Sequence, residues 1–79
     1  MYWTYILKSE KAVRYYVGST DDVEARLARH NSGRNKSTKF GIPWKLIYSE
    51  SFFTKQEAYR REFQIKSYKG GAAFKKLVV

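Results

Sequence analysis

The sequence predicts a single α+β domain, three strands and three helices in the order β-β-α-β-α-α. Three observations carry that prediction. Three short segments are rich in aromatic and β-branched residues. Two longer segments open on a capping side chain and close on glycine. A chain of 79 residues leaves room for only one core, because a domain this small buries only about 60% of its unfolded surface.

Residues 2–8 read Tyr-Trp-Thr-Tyr-Ile-Leu-Lys without a breaker, which predicts a strand. Alternation places Trp3, Tyr5 and Leu7 on one face and Thr4 and Ile6 on the other. A polar turn at 9–12 returns the chain into a second strand over 13–18, forming a hairpin. Ser19-Thr20-Asp21 then opens a helix, with Asp21 and Glu24 in capping-box spacing, and Ser32-Gly33 stops it after Asn31. The polar, basic stretch from Arg34 to Lys39 reads as a mobile loop. Pro43 introduces a third strand over 44–49, where Trp44, Leu46 and Tyr48 alternate with Lys45, Ile47 and Ser49. Thr54, in capping-box spacing with Glu57, opens a long helix over 55–68. Gly70-Gly71 ends it, and Ala72 to Leu77 make a short last helix.

Composition narrows the function. There is no Cys, which excludes a disulfide scaffold, a thiol nucleophile and cysteine-based zinc or iron–sulfur sites. His30 stands alone, so imidazole-rich metal sites are excluded too. No apolar run approaches the roughly 20 residues a membrane span needs, and no signal-peptide pattern opens the chain. A cytoplasmic protein with no membrane partner is the expectation. Lys and Arg outnumber Asp and Glu by 16 to 7, a net charge of +9 that points to a polyanion. Nucleic acid leads over an acidic membrane surface, because the apolar residues are needed for the core.

Three groups of side chains stand out. On a wheel of the 55–68 helix, with Ala58 at zero, Ile65 falls near −20°, Tyr59 near 100° and Phe63 near 140°. Glu62 falls near 40°, within that apolar arc. A carboxylate aimed at a core is costly unless paired, hydrogen-bonded or bound to metal. Lys66, four residues on, offers an ordinary surface pair, so both roles stay open. In the first helix His30 borders the Val23–Leu27 stripe and Arg26 lies one turn before it. A snorkelling arginine and a structural histidine are the plainer readings of that pair. Tyr5 and Tyr16 complete the set: two hairpin tyrosines bury rings as β-formers, or bring both hydroxyls to one surface.

Tyr5, the run Tyr16-Val17-Gly18, Arg26, His30 and Glu62, in that order, resemble the GIY-YIG endonuclease superfamily, closest to its small standalone bacterial branch. The segment from Tyr16 to His30 is the most specific part, and the run from Glu57 to Lys66 resembles the helix that carries the family's metal-binding Glu. The resemblance covers essentially the whole chain, as one domain over 1–79. It implies a three-stranded antiparallel sheet flanked by helices, and DNA phosphodiester cleavage assisted by Mg²⁺ or Mn²⁺. Position by position, it implies that Glu62 binds one divalent ion and Arg26 stabilises charge on the scissile phosphate. Tyr5 is then the general base or positions the attacking water, Tyr16 holds the phosphate or nucleophile, and His30 assists. One inward carboxylate among seven acids suits one metal ion better than two.

With no room for an attached DNA-binding domain, affinity is expected from the basic surface. Its candidates are Arg29, Arg34, Lys36, Lys39, Arg60, Arg61, Lys69, Lys75 and Lys76. Phosphate contacts of that kind are salt-sensitive and sequence-blind. The expectation is therefore an endonuclease of low sequence specificity acting on DNA, with RNA as a second polyanion, in repair or recombination and with a partner in a repair complex. A second reading stays open: a basic nucleic-acid-binding module without useful catalysis. Its motives are the small size and the lack of any Asn after Glu62.

Overall fold

In the computed structural model, which describes residues 1–78, β1 (Tyr2–Ser9) is the central strand of a three-stranded antiparallel sheet. It pairs with β2 (Tyr15–Thr20) on one side and β3 (Trp44–Phe52) on the other, in the order β2-β1-β3. Three helices follow in the expected places: α1 (Val23–Asn31), α2 (Lys55–Ser67) and α3 (Ala72–Val78). The architecture is α+β, in the order the sequence predicts.

A central strand has both faces covered, so Thr4 to Leu7 are all buried while the period of two still sorts them. Ile6 meets Val17, Ile65 and Phe74 under α2 and α3. Tyr5 and Leu7 meet Trp44, with Tyr16, Leu27 and Ile42 packed around them, under α1. Thr4, on the α2 side, donates its hydroxyl to the Ala58 carbonyl at 2.6 Å. The β1–β3 register shifts between Ile6 and Leu7, leaving Ile47 as an extra residue in β3.

Several boundaries move, each for a local reason. The hairpin turn runs on to Arg14, because the Ser9 hydroxyl accepts the N–H groups of Lys11 and Ala12, and Ser9 N–H donates to the Arg14 carbonyl. β2 therefore starts at Tyr15 and leaves Val13 95% exposed. It also takes in Ser19 and Thr20, so the cap of α1 is Asp22 rather than Asp21: its Oδ1 accepts from Ala25 N–H at 3.0 Å. β3 runs on to Phe52, because Tyr2 offers it a partner. At α2 the reciprocal capping box of Thr54 and Glu57 forms as the spacing predicts.

Two corrections bear on function. The stretch 34–39 is held in turns rather than left free: Ser37 bonds the Asn35 side chain, and Trp44 Nε1–H donates to the Thr38 carbonyl at 2.8 Å. Thr38 is buried. On α2, a three-stranded sheet offers width for one narrow stripe, Ala58 and Ile65, and Tyr59 and Phe63 stay outside. Glu62 thus stands at the border of the packed face rather than amid an apolar arc, with its side chain 12% exposed.

Candidate active site

The site begins with Gly18. It lies directly opposite Tyr5 in the β1–β2 register, and a Cβ there would sit 2.6 Å from Tyr5 Oη and 3.1 Å from Tyr16 Cε2. The absence of a side chain lets the phenol of Tyr5 lie down across the neighbouring strand. Tyr16, one pair further along on the same face, places its ring 6.3 Å from that of Tyr5.

α1 closes this face from above. His30, 1% exposed, packs 4.5 Å from the Tyr16 ring centre and sets Nε2 3.4 Å from the Tyr5 hydroxyl. Its other nitrogen, Nδ1, lies 2.9 Å from Thr38 Oγ1. Arg26, one turn earlier, is near enough for its charge to favour the ionised form of Tyr5. Asn31 fixes the end of the helix by pairing its side-chain amide with both backbone polar groups of Trp44. Four of the expected site residues therefore converge: Tyr5, Tyr16, Arg26 and His30.

Burial favours the neutral forms of Tyr5 and His30. Burial pushes the Tyr5 phenol far above its ordinary range; Tyr16 adds to that shift, Arg26 opposes it and the Glu62 charge adds again. Burial also lowers the His30 pKa, helped by Arg26 and Arg29, which favours neutral imidazole near pH 7.

Glu62 approaches from the other side of the edge strand. Its Oε1 accepts the Ser19 hydroxyl at 2.7 Å, and Oε2 pairs with Lys66 at 2.6 Å. The surface pair and the functional position thus coexist. Beside it, where β2 ends, a cleft of about 230 Å³ passes round the sheet edge, lined by Tyr2, Ser19, Thr20, Asp21, Arg26 and Lys55. A hard oxygen ligand beside an open cleft fits a divalent ion of the Mg²⁺ type, which needs only one or two carboxylates with water and phosphate oxygens. The Lys66 side chain that pairs with Glu62 is about half exposed.

The basic residues divide. Arg29, Arg34, Lys36, Lys39, Arg60, Lys69, Lys75 and Lys76 are all exposed. Arg61 is not available in that way: its Nε pairs with Glu50 on β3 at 3.4 Å, and Nη1 donates to Gln64 and Tyr68. It ties α2 to the sheet. Sequence reasoning missed Ser19, Thr38 and Lys55 as neighbours of the site. It also missed Lys8, Lys11 and Lys45, which line a larger cleft of about 620 Å³ that includes none of the tyrosine–histidine cluster. Only the pattern Ser19-Thr20 directly after Tyr16-Val17-Gly18 held a signal in the sequence.

The family model of the GIY-YIG catalytic domain matches residues 1–75. The chain belongs to the GIY-YIG family, a nuclease family whose members bind nucleic acid. Among its relatives is the UPF0213 protein SH2523 of Staphylococcus haemolyticus, 46% identical over 68 residues, covering 85% of this chain and 82% of the relative. The UPF0213 protein SERP0126 of Staphylococcus epidermidis is 41% identical over the same shares. The solution structure of the UPF0213 protein BH0048 from Bacillus halodurans aligns with a TM-score of 0.49 and 32% identity, covering 91% of this chain and 88% of that one. No helix among the described residues is long and apolar enough to cross a membrane.

Proposed function

We propose that the chain is a divalent-metal-dependent endonuclease that hydrolyses DNA phosphodiester bonds with little sequence preference. The observation that carries this reading is the meeting of buried Tyr5 with His30 and Arg26 next to a cleft that Ser19, the partner of Glu62, also lines.

Each residue has a task its chemistry suits. Glu62, held by Ser19, supplies the oxygen ligand for one Mg²⁺ or Mn²⁺ ion. Such an ion, when bound, polarises a phosphate oxygen and lowers the pKa of bound water. Arg26 presents a planar donor fork to the phosphate, where negative charge builds in the transition state. Tyr5 is protonated at rest, so it accepts a proton from the attacking water only as it passes its own on. Neutral His30 Nε2 stands within reach to take that proton. Tyr16 sets its ring against His30 and offers its hydroxyl to the phosphate or the water. Affinity comes from the exposed lysines and arginines, which read backbone charge and not bases.

The test is nicking of supercoiled plasmid. Cutting should require Mg²⁺ or Mn²⁺ and disappear in Glu62→Ala and in Arg26→Ala, both retaining the wild-type circular dichroism spectrum. Wild-type protein that cuts nothing with metal present, or variants that still cut, would remove the enzyme reading. One observation favours the binding-module alternative, the occupation of both Glu62 oxygens by Ser19 and Lys66. That reading expects nucleic-acid binding that weakens steeply with salt and survives Glu62→Ala.

A further inference from the structure

Thr38 lies on no helix or strand of the catalytic face, yet it is 2% exposed and touches the one histidine of the chain. We infer that Thr38 is a positioning residue: its hydroxyl accepts the Nδ1 proton of His30 and so keeps Nε2 bare toward the Tyr5 phenol. The inference rests on the nuclease reading for its catalytic consequence, while the tautomer itself is independent of it.

Around the buried imidazole each donor needs an acceptor. A neutral imidazole has one N–H and one bare nitrogen, and the neighbour of one nitrogen dictates the state of the other. The buried Tyr5 hydroxyl has His30 Nε2, 3.4 Å away, as its hydrogen-bond partner among the described residues. Thr38 Oγ1 lies 3.4 Å from the Asn35 carbonyl, which can only accept. With Nδ1–H donating to Thr38, the chain closes: Thr38 donates to Asn35, His30 to Thr38, and Tyr5 to His30. With the opposite tautomer, the Asn35 carbonyl keeps only the Thr38 N–H at 3.2 Å. The buried Tyr5 oxygen then receives from His30 while its own proton finds no acceptor among the described residues. Buried polar groups left unpaired are costly, so the closed chain prevails.

The groups around the imidazole agree. Tyr5 of β1 and Tyr16 of β2 face it from the sheet, Thr38 from the loop, and Arg26 and Arg29 bear on it from α1. None of these is a carboxylate that would hold the ring doubly protonated. Thr38 in turn is pinned by the Trp44 indole, which donates to its carbonyl, so the hydroxyl is placed by the packing of β3 rather than by the loop alone. A hydroxyl at this point does what a buried carboxylate does beside other catalytic histidines, without charging the ring.

A single histidine makes the test direct. Long-range ¹H–¹⁵N correlation spectra of ¹⁵N-labelled protein near pH 8 report which ring nitrogen of His30 carries the proton. Wild type should show Nδ1–H with bare Nε2. Thr38→Val should move the population toward Nε2–H and lower kcat on the order of 10²-fold with KM unchanged, the loss expected when a general base is disabled. Thr38→Ser should restore both. A wild-type Nε2–H tautomer overturns the inference without any variant. So does Nδ1–H that persists unchanged in Thr38→Val, or a kcat that Thr38→Val leaves untouched. Protein that cuts nothing under any metal removes the nuclease reading instead, and the spectra still judge the tautomer.

Discussion

The two faces of the sheet are built on opposite terms. Under α2 and α3, Ile6, Val17, Ile65 and Phe74 meet as an ordinary aliphatic and aromatic core. Under α1, Tyr5, Leu7 and Trp44 share their space with His30 and Thr38, both almost fully buried. Apolar contacts are tolerant of small changes in shape, whereas buried polar groups require each partner in place. The difference teaches a division of labour within one thin molecule. The face under α2 and α3 is mainly apolar, with Glu62 at its border, and the face under α1 holds the buried polar groups to which we assign the proton transfer.

That division can be attacked from either side. The largest effect is expected from Ile65→Ala, on the structural face. Deleting a fully buried aliphatic side chain costs about 2–5 kcal/mol of stability, and denaturant unfolding should show it. Activity per folded molecule should stay at the wild-type value, and a matching fall in kcat would show that the faces are not separate.

Gly18→Ala attacks the other side. The added Cβ would meet the Tyr5 hydroxyl at 2.6 Å, so the phenol must move. A displacement near 1 Å in a catalytic group costs on the order of 10²-fold in rate. The stability loss should be smaller, roughly 1–3 kcal/mol, as for other overpacked sites. Wild-type nicking by Gly18→Ala would mean that the Tyr5 position does not matter to the chemistry.

The smallest effect is the pH dependence of folding. The His30 pKa is depressed by burial, so the unfolded chain binds its proton more readily than the folded one. The stability this burial permits is fully present above the ordinary histidine pKa of about 6.5. It is lost as pH falls from there toward the lower folded value. The melting temperature of wild type should therefore fall faster than that of His30→Gln between roughly pH 7 and pH 5. Parallel curves would deny that the imidazole is held neutral.

What could be read in advance follows from the range of the forces. Strand alternation placed Tyr5 with Trp3 and Leu7 and left open whether Tyr16 would join it, while capping chemistry placed both long helices, with one cap displaced by a residue because β2 took Ser19 and Thr20 into its ladder. Spacing also marked Arg26, His30 and Glu62. The wheel erred at Tyr59 and Phe63, because hydrophobicity says which side chains prefer burial and not how wide the opposing surface is. The loop erred at Thr38, because a polar composition does not reveal that a tryptophan will hold it in place.

By itself, the order of residues determined the strands, the capped helices and the family to which the chain belongs, since each depends on neighbours a few positions apart or on a motif in fixed order. Only the tertiary structure decided that Ser19 would hold Glu62 across 43 positions, that Tyr5 would face His30 across 25, and that Arg61 would pair with Glu50 on β3. Those pairings follow from which elements pack against which. Packing is a property of whole surfaces meeting, and no local window of sequence contains it.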